Sequence, residues 1–229
     1  MNSSKTEIFV SDKMVEIPSG KIVLRDDRTK KKWTVNIEPF LLAKYPVTQD
    51  LFFEVTKETP SSFKGSRKPV ETVTWKEAVM FCNSLSVKLG LKSCYSLGED
   101  KEEIIYIPTA NGFRLPTEAE WEYACKAGVS EIRYGETDVI AWYKDNSEQT
   151  THNVGQKEPN AWGLYDMLGN VWEWCSNLYD SEVYGSYRIF RGGGWNDEER
   201  SVMATTRRRS HPLKFKIDDL GFRIAKNSK

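Results

Sequence analysis

The sequence predicts an α+β domain of twisted antiparallel strands with two main helices and much irregular structure. Two Thr-x-x-Glu boxes, Thr74-Trp-Lys-Glu77 and Thr117-Glu-Ala-Glu120, each head an apolar-periodic stretch, as at a capped helix start. Short alternating runs of apolar residues, separated by Gly, Pro, Asn and Asp, fill the first half of the chain in the pattern of strands and turns. From 129 to 162 turn formers outnumber periodic apolar residues, so that stretch is irregular and does not form a domain of its own.

In order, Met14 to Ile17 and Ile22 to Leu24 read as two strands joined across Pro18-Ser-Gly20, a hairpin at a sheet edge. Lys30 to Lys32 is a solvated basic tip, Trp33 to Ile37 a half-buried strand, and Phe40 to Tyr45 its continuation in the sheet. Thr48 is placed to cap a helix from Gln49 to about Lys57, with Asp50 favourable against its dipole. After a Pro- and Ser-rich loop, Trp75, Ala78, Val79, Cys82, Leu85 and Leu89 share one helical face, which Gly90 ends. Cys94 to Leu97 and Ile104 to Ile107 flank an acidic turn as a second hairpin, and the second box starts a helix from Glu118 to Ala127.

The chain has 229 residues, 39% of them hydrophobic and 12% aromatic, enough for one large core and hence one domain over 1–229. Lys plus Arg equals Asp plus Glu at 33 each, so no global field draws the chain to nucleic acid or an anionic membrane. The sequence holds no apolar run long enough to span a bilayer, and Met1 to Thr6 lack the apolar core of a signal peptide. As written, the chain is expected in the cytoplasm, or at the cell surface if an upstream signal or lipid anchor precedes it. Cys82, Cys94, Cys125 and Cys175 form no C-x-x-C pair and read as buried free thiols. With His152 and His211 alone, a His-rich iron or zinc site cannot be assembled.

Two stretches carry the functional signal. Gly163-Leu-Tyr-Asp-Met-Leu-Gly-Asn-Val-Trp-Glu-Trp174 places Asp166 and Glu173 around glycine-permitted turns. Spacing leaves two readings open: oxygen ligands around one hard cation, or core tryptophans with carboxylates that satisfy backbone donors. From Arg191-Gly-Gly-Gly-Trp195 to Gly221-Phe-Arg223 runs a polar and charged excursion pinned at both ends, the form that functional loops take.

Together with Phe113-Arg-Leu-Pro-Thr-Glu-Ala-Glu-Trp-Glu122, these motifs resemble the formylglycine-generating enzyme family, or sulfatase-modifying factors, whose members have a variant of the C-type lectin fold. The resemblance runs from about residue 13 to the C-terminus. It implies a structural calcium held by the Asp166 side chain, the Gly169 and Val171 carbonyls and the Glu173 side chain. It also exposes a departure. Catalytic members bind copper(I) through a cysteine pair shortly after the Gly-Gly turn, where thiolate sulfur suits the soft ion. This chain has Asp197 and Val202 at the matching positions and no cysteine after Cys175, so neither copper nor iron is expected.

The segment also resembles the variable region of retroelement-diversified proteins, which use this fold to display changeable side chains. That resemblance implies a ligand surface of Asn196, Glu198, Arg200, Met203, Thr205, Arg208, Arg209, Ser210, His211, Leu213, Phe215, Lys216 and Ile217, within the display segment 191–223. Phe215 and Ile217 are equally consistent with inward packing beneath a solvated charged face. The expected function is a non-catalytic protein that presents this surface to a protein or other macromolecular ligand. The alternative is a metal-dependent oxygenase or protein-modifying enzyme of the same family with an altered site. Nucleic acid is not an expected partner, because Arg207-Arg-Arg209 lacks a basic surround.

Overall fold

The computed structural model describes residues 12–99 and 103–228. The N-terminal stretch 1–11 and the centre of the acidic turn, 100–102, lie outside the described residues.

Among the described residues twelve strands form two four-stranded sheets and two hairpins. β1 (Met14–Ile17) opens the chain, followed by β2 (Gly20–Arg25), β3 (Lys32–Ile37) and β4 (Phe40–Ala43). The expected β1–β2 hairpin does not form. β1 pairs antiparallel with β4, Ile17 facing Phe40, while β2 pairs along its length with β3. Pro18 has no N–H for a tight turn. At Gly20 the backbone passes under Tyr123, so closely that a Cβ would lie 2.1 Å from the phenol oxygen. The chain leaves the first sheet there, and β3 and β4 consequently belong to different sheets.

Helix α1 (Gln49–Thr56) starts after Thr48, but the Thr48 hydroxyl donates to Asp50 and gives no side-chain cap. Helix α2 (Trp75–Lys88) has both halves of its capping box, Thr74 accepting from the Glu77 amide and Glu77 from the Thr74 amide. The hairpin β5 (Tyr95–Leu97) and β6 (Ile104–Tyr106) and the short strand β7 (Phe113–Arg114) lead to α3 (Glu118–Lys126), whose Thr117–Glu120 box is also complete. A single turn of helix, α4 (Thr137–Ile140), interrupts the irregular stretch expected after α3.

The second half supplies β8 (Trp172–Leu178), the short helix α5 (Ser181–Tyr184), β9 (Arg188–Arg191), β10 (Arg207–Ser210), β11 (Leu220–Gly221) and β12 (Ala225–Asn227). One sheet runs β1-β4-β12-β7 and the other β10-β9-β8-β11. β11 is parallel to β8, a departure from the all-antiparallel expectation.

Period-two alternation on β8 divides the core. Trp172 and Trp174 join Phe190 and Phe222 against α2, whereas Cys175 packs with Trp121, Ile189 and Val202 against α3. All four cysteines are free and buried.

Candidate functional site

The display segment leaves β9 at Arg191, whose guanidinium is fully buried and ion-paired with Glu122 and, at 3.4 Å, with Glu118. These carboxylates sit one turn apart on α3 and face the sheet. The next two residues need glycine: Gly192 and Gly193 hold φ of 103° and 83°, a left-handed backbone that side chains strain. Trp195 then anchors the turn. Its amide donates to the Asn170 carbonyl at 2.9 Å, its indole to the Asp218 carbonyl at 3.1 Å, and its ring meets Phe63 edge-on.

At the far end, Gly221 passes so near the Val70 carbonyl that a Cβ would lie 2.1 Å from it. Arg223 is fully buried. It binds Glu173 through Nε and Nη2, each at 2.7 Å, and its remaining N–H groups reach the carbonyls of Ala43 and Tyr165 at 2.9 Å. The Trp121 indole also donates to Glu173, at 2.6 Å.

Two of the four groups that the resemblance places around calcium, the side chains of Glu173 and Asp166, have protein partners of their own. Both oxygens of Glu173 are committed to Arg223 and Trp121, so a guanidinium already supplies the positive charge the carboxylate needs. Asp166 accepts from the Gly155 amide at 2.7 Å, and the Arg223 Nη2 lies 3.3 Å from its backbone carbonyl. Gly169 donates its amide to the Gly192 carbonyl, which ties the motif to the start of the glycine turn. The motif thus braces the two ends of segment 191–223 against each other.

The positions matching the copper cysteines are built into the fold. Asp197 is buried and accepts from the Trp172 indole at 2.5 Å and the Gly194 amide at 2.9 Å, while Arg208 pairs with its other oxygen at 2.9 Å. Val202 is fully buried and packs against Gly193. Neither side chain offers a soft ligand.

Between the anchors the segment is pinned repeatedly. Arg133 donates to the carbonyls of Val202 and Glu199 at 2.8 and 2.6 Å, Ala204 to that of Ile132, and Thr72 and Lys76 to those of Ile217 and Pro212. None of the expected display residues is fully buried. Asn196, Glu198, Arg200, Arg208 and Lys216 are exposed, and Met203, Thr205, Arg209, Ser210, His211, Leu213, Phe215 and Ile217 are half-buried.

They do not form one face, however. On β10, Arg208 stacks 4.6 Å over Trp172, whereas its neighbours point the other way. Arg207 pairs with Glu118, and Arg209 lies 3.9 Å over Tyr184 and 4.6 Å over Tyr179. His211 sits beside Tyr187. Phe215 and Ile217 pack against the core, Phe215 parallel to Phe190 with ring centres 6.1 Å apart, so inward packing holds for these two. Leu213 and Lys216 border a groove on α2 with Glu77 and Met80. Exposed Lys214, outside the expected display set, lies in the same groove.

Beneath Arg208 lies a buried acid. Burial first, then the negative charge of Asp197 and Asp218, push the Asp219 carboxyl up to about 7 against the opposing effect of Arg208, and its Oδ1 has no hydrogen-bond partner. Burial likewise pushes Asp166 up to about 6, partly offset by the Gly155 amide and Arg223.

The chain belongs to the family of the sulfatase-modifying factor enzyme 1-like domain, whose model matches residues 2–228. It is 33% identical to the chaperone protein LppX of Paenibacillus barcinonensis over 96% of this chain and 89% of that protein. The solved structure of Treponema denticola variable protein 1 superposes with a TM-score of 0.84 at 32% identity, covering 93% of this chain and 94% of the other. Inactive C-alpha-formylglycine-generating enzyme 2 of Mus musculus is 24% identical over 94% of this chain and 86% of its own length. The fold is therefore the C-type lectin-like fold of the formylglycine-generating enzyme type.

Two measurements follow. Because Asp219 and Asp166 hold protons in the folded chain that ordinary carboxyls, near 4, have lost when unfolded, their contribution is fully present below about pH 4 and is lost as pH rises through about 6 and 7. Urea unfolding of wild type and Asp219→Asn is expected to show the variant gaining relative stability between pH 5.5 and 7.5. A constant difference would contradict the placement of Asp219. Thermal unfolding with calcium and with a chelator tests the metal expected at this motif: a calcium-dependent rise in the midpoint is the outcome for a four-ligand site, and an unchanged midpoint would contradict it and leave the motif a brace alone.

Proposed function

We propose that the chain is a non-catalytic binding protein that presents the exposed part of residues 196–217 to a macromolecular ligand, most simply another protein. One observation carries this reading: Asp197 and Val202, at the places where catalytic members of the family keep copper-binding cysteines, are structural. Asp197 is enclosed by the Trp172 indole, the Gly194 amide and Arg208, and Val202 is sealed against Gly193.

The segment above them is fixed by backbone hydrogen bonds to three other parts of the chain, yet its outward side chains bear little of that load. Asn196 is exposed, Glu198 pairs with Arg200 on the surface, and Lys216 reaches Glu77 at 3.7 Å with both groups well solvated. Such positions can change without altering the frame, and a fixed loop lowers the ordering cost of binding. Similarity to a protein named as variable supports the same reading, and diversification of these positions by a retroelement is its natural extension.

The combined variant Asn196→Ala, Glu198→Ala, Arg200→Ala and Lys216→Ala tests it. Each surface substitution is worth less than about 0.5 kcal/mol, so the fold is expected to survive. Proteins that the immobilised wild-type chain retains are expected to be lost from the variant, and copper(I) titration is expected to show no tight stoichiometric site. Retention of the same partners, or tight copper binding, would overturn the proposal.

A further inference from the structure

Away from the display segment, a cleft of about 380 Å³ opens between α2, the β5–β6 hairpin and β8. Its volume falls within the range of small-molecule sites. Trp75, Tyr95, Tyr106 and Leu115 give it apolar and aromatic walls, and Arg188 and Arg114 bring two guanidinium groups to its lining.

The two arginines differ. Arg114 is held by Glu120 through two hydrogen bonds of 2.7 Å, and the buried Arg191 and Arg223 and the half-buried Arg207 each have a carboxylate partner as well. Arg188 has none among the described residues. Its Nη1 donates to the Ser176 carbonyl at 2.6 Å and its guanidinium lies 4.1 Å over the Trp75 ring, but its Nε is buried without a partner. Burial without a counter-ion pulls the group down to about 10, so it still carries its charge at neutral pH. A guanidinium that lines an aromatic cleft and has no carboxylate partner among the described residues is an arrangement that an oxyanion completes.

We propose that this cleft is a binding site for a small aromatic carboxylate, its carboxylate paired with Arg188 and its ring lying against the Tyr95 and Tyr106 wall. A single uncompensated positive charge matches a monoanion, since the second guanidinium is already neutralised by Glu120. The clustered rings, Trp75 edge-on to Tyr95 at 6.4 Å and Tyr95 tilted against Tyr106 at 5.7 Å, give an aromatic wall that favours an aromatic body over a bare inorganic ion. Such a site is independent of the display surface and does not require the proposed binding function to be correct.

Phenylacetate is the probe, titrated into the full chain by calorimetry and by nitrogen-15 NMR that includes the arginine Nε–H signals. Saturable one-to-one binding is expected, with shifts at Arg188, Tyr95 and Tyr106. The neutral 2-phenylethanol and the ring-less acetate are each expected to bind at least about tenfold more weakly. Arg188→Met is expected to lose at least about tenfold in affinity while folding normally, because the guanidinium it removes has no ion pair to break. Tyr106→Ala, at an exposed wall position, provides a second variant expected to weaken binding if Arg188→Met fails to fold. Absence of saturation up to about 10 mM, equal binding of the alcohol, shifts confined to other residues, or full affinity in both variants would overturn the proposal.

Discussion

The ion pair between Glu173 and Arg223 holds the rest of the structure in place. It joins the start of β8 to the C-terminal Gly-Phe-Arg turn, and Trp121 adds α3 to the same carboxylate. Beside it, Arg191 joins the start of the glycine turn to Glu118 and Glu122 on α3. Removing one member of such a buried pair leaves an uncompensated charge at a cost of about 3–5 kcal/mol, a large share of a domain's net stability. Both ends of the display segment are therefore set by charges that tolerate little displacement.

Rigidity at the ends determines what the middle can do. With Gly192 to Trp195 and Gly221 to Arg223 fixed, the intervening chain is carried by main-chain hydrogen bonds to Ile132, Thr72 and Lys76 and by the Arg133 clamp. The backbone does not depend on what Asn196, Arg200 or Lys216 are. Arg208 is the exception among exposed positions, because it shields Asp197 and lies over Trp172. A change there would reach the buried acid pair of Asp197 and Asp219, so Arg208 belongs partly to the frame and partly to the surface.

Local signals were the legible ones. Both complete capping boxes, the glycine turn and the free buried cysteines could be read from short stretches, because each depends on chemistry within a few residues. Pairing between distant segments could not. Nothing between Pro18 and Gly20 reveals that β1 joins β4, or that Tyr123 closes over the backbone there. Asp166 and Glu173 looked alike as oxygen donors, and their roles separated only when the fold brought Arg223 to Glu173 and the Gly155 amide to Asp166. Strand alternation was also hidden in the Arg207 to Arg209 triplet, which reads as one basic cluster but sends its side chains to opposite faces of β10.

Native-state hydrogen exchange across residues 191–223 tests the rigid display frame most directly. The amides of Trp172, Trp195 and Ala204, each bonded across segments, are expected to exchange only through global unfolding, at the same free energy as the central strands. They should keep that protection when the exposed side chains at 196, 198, 200 and 216 are replaced. Exchange of these amides through low-energy local opening, or its acceleration by the surface replacements alone, would contradict a fixed frame carrying changeable side chains.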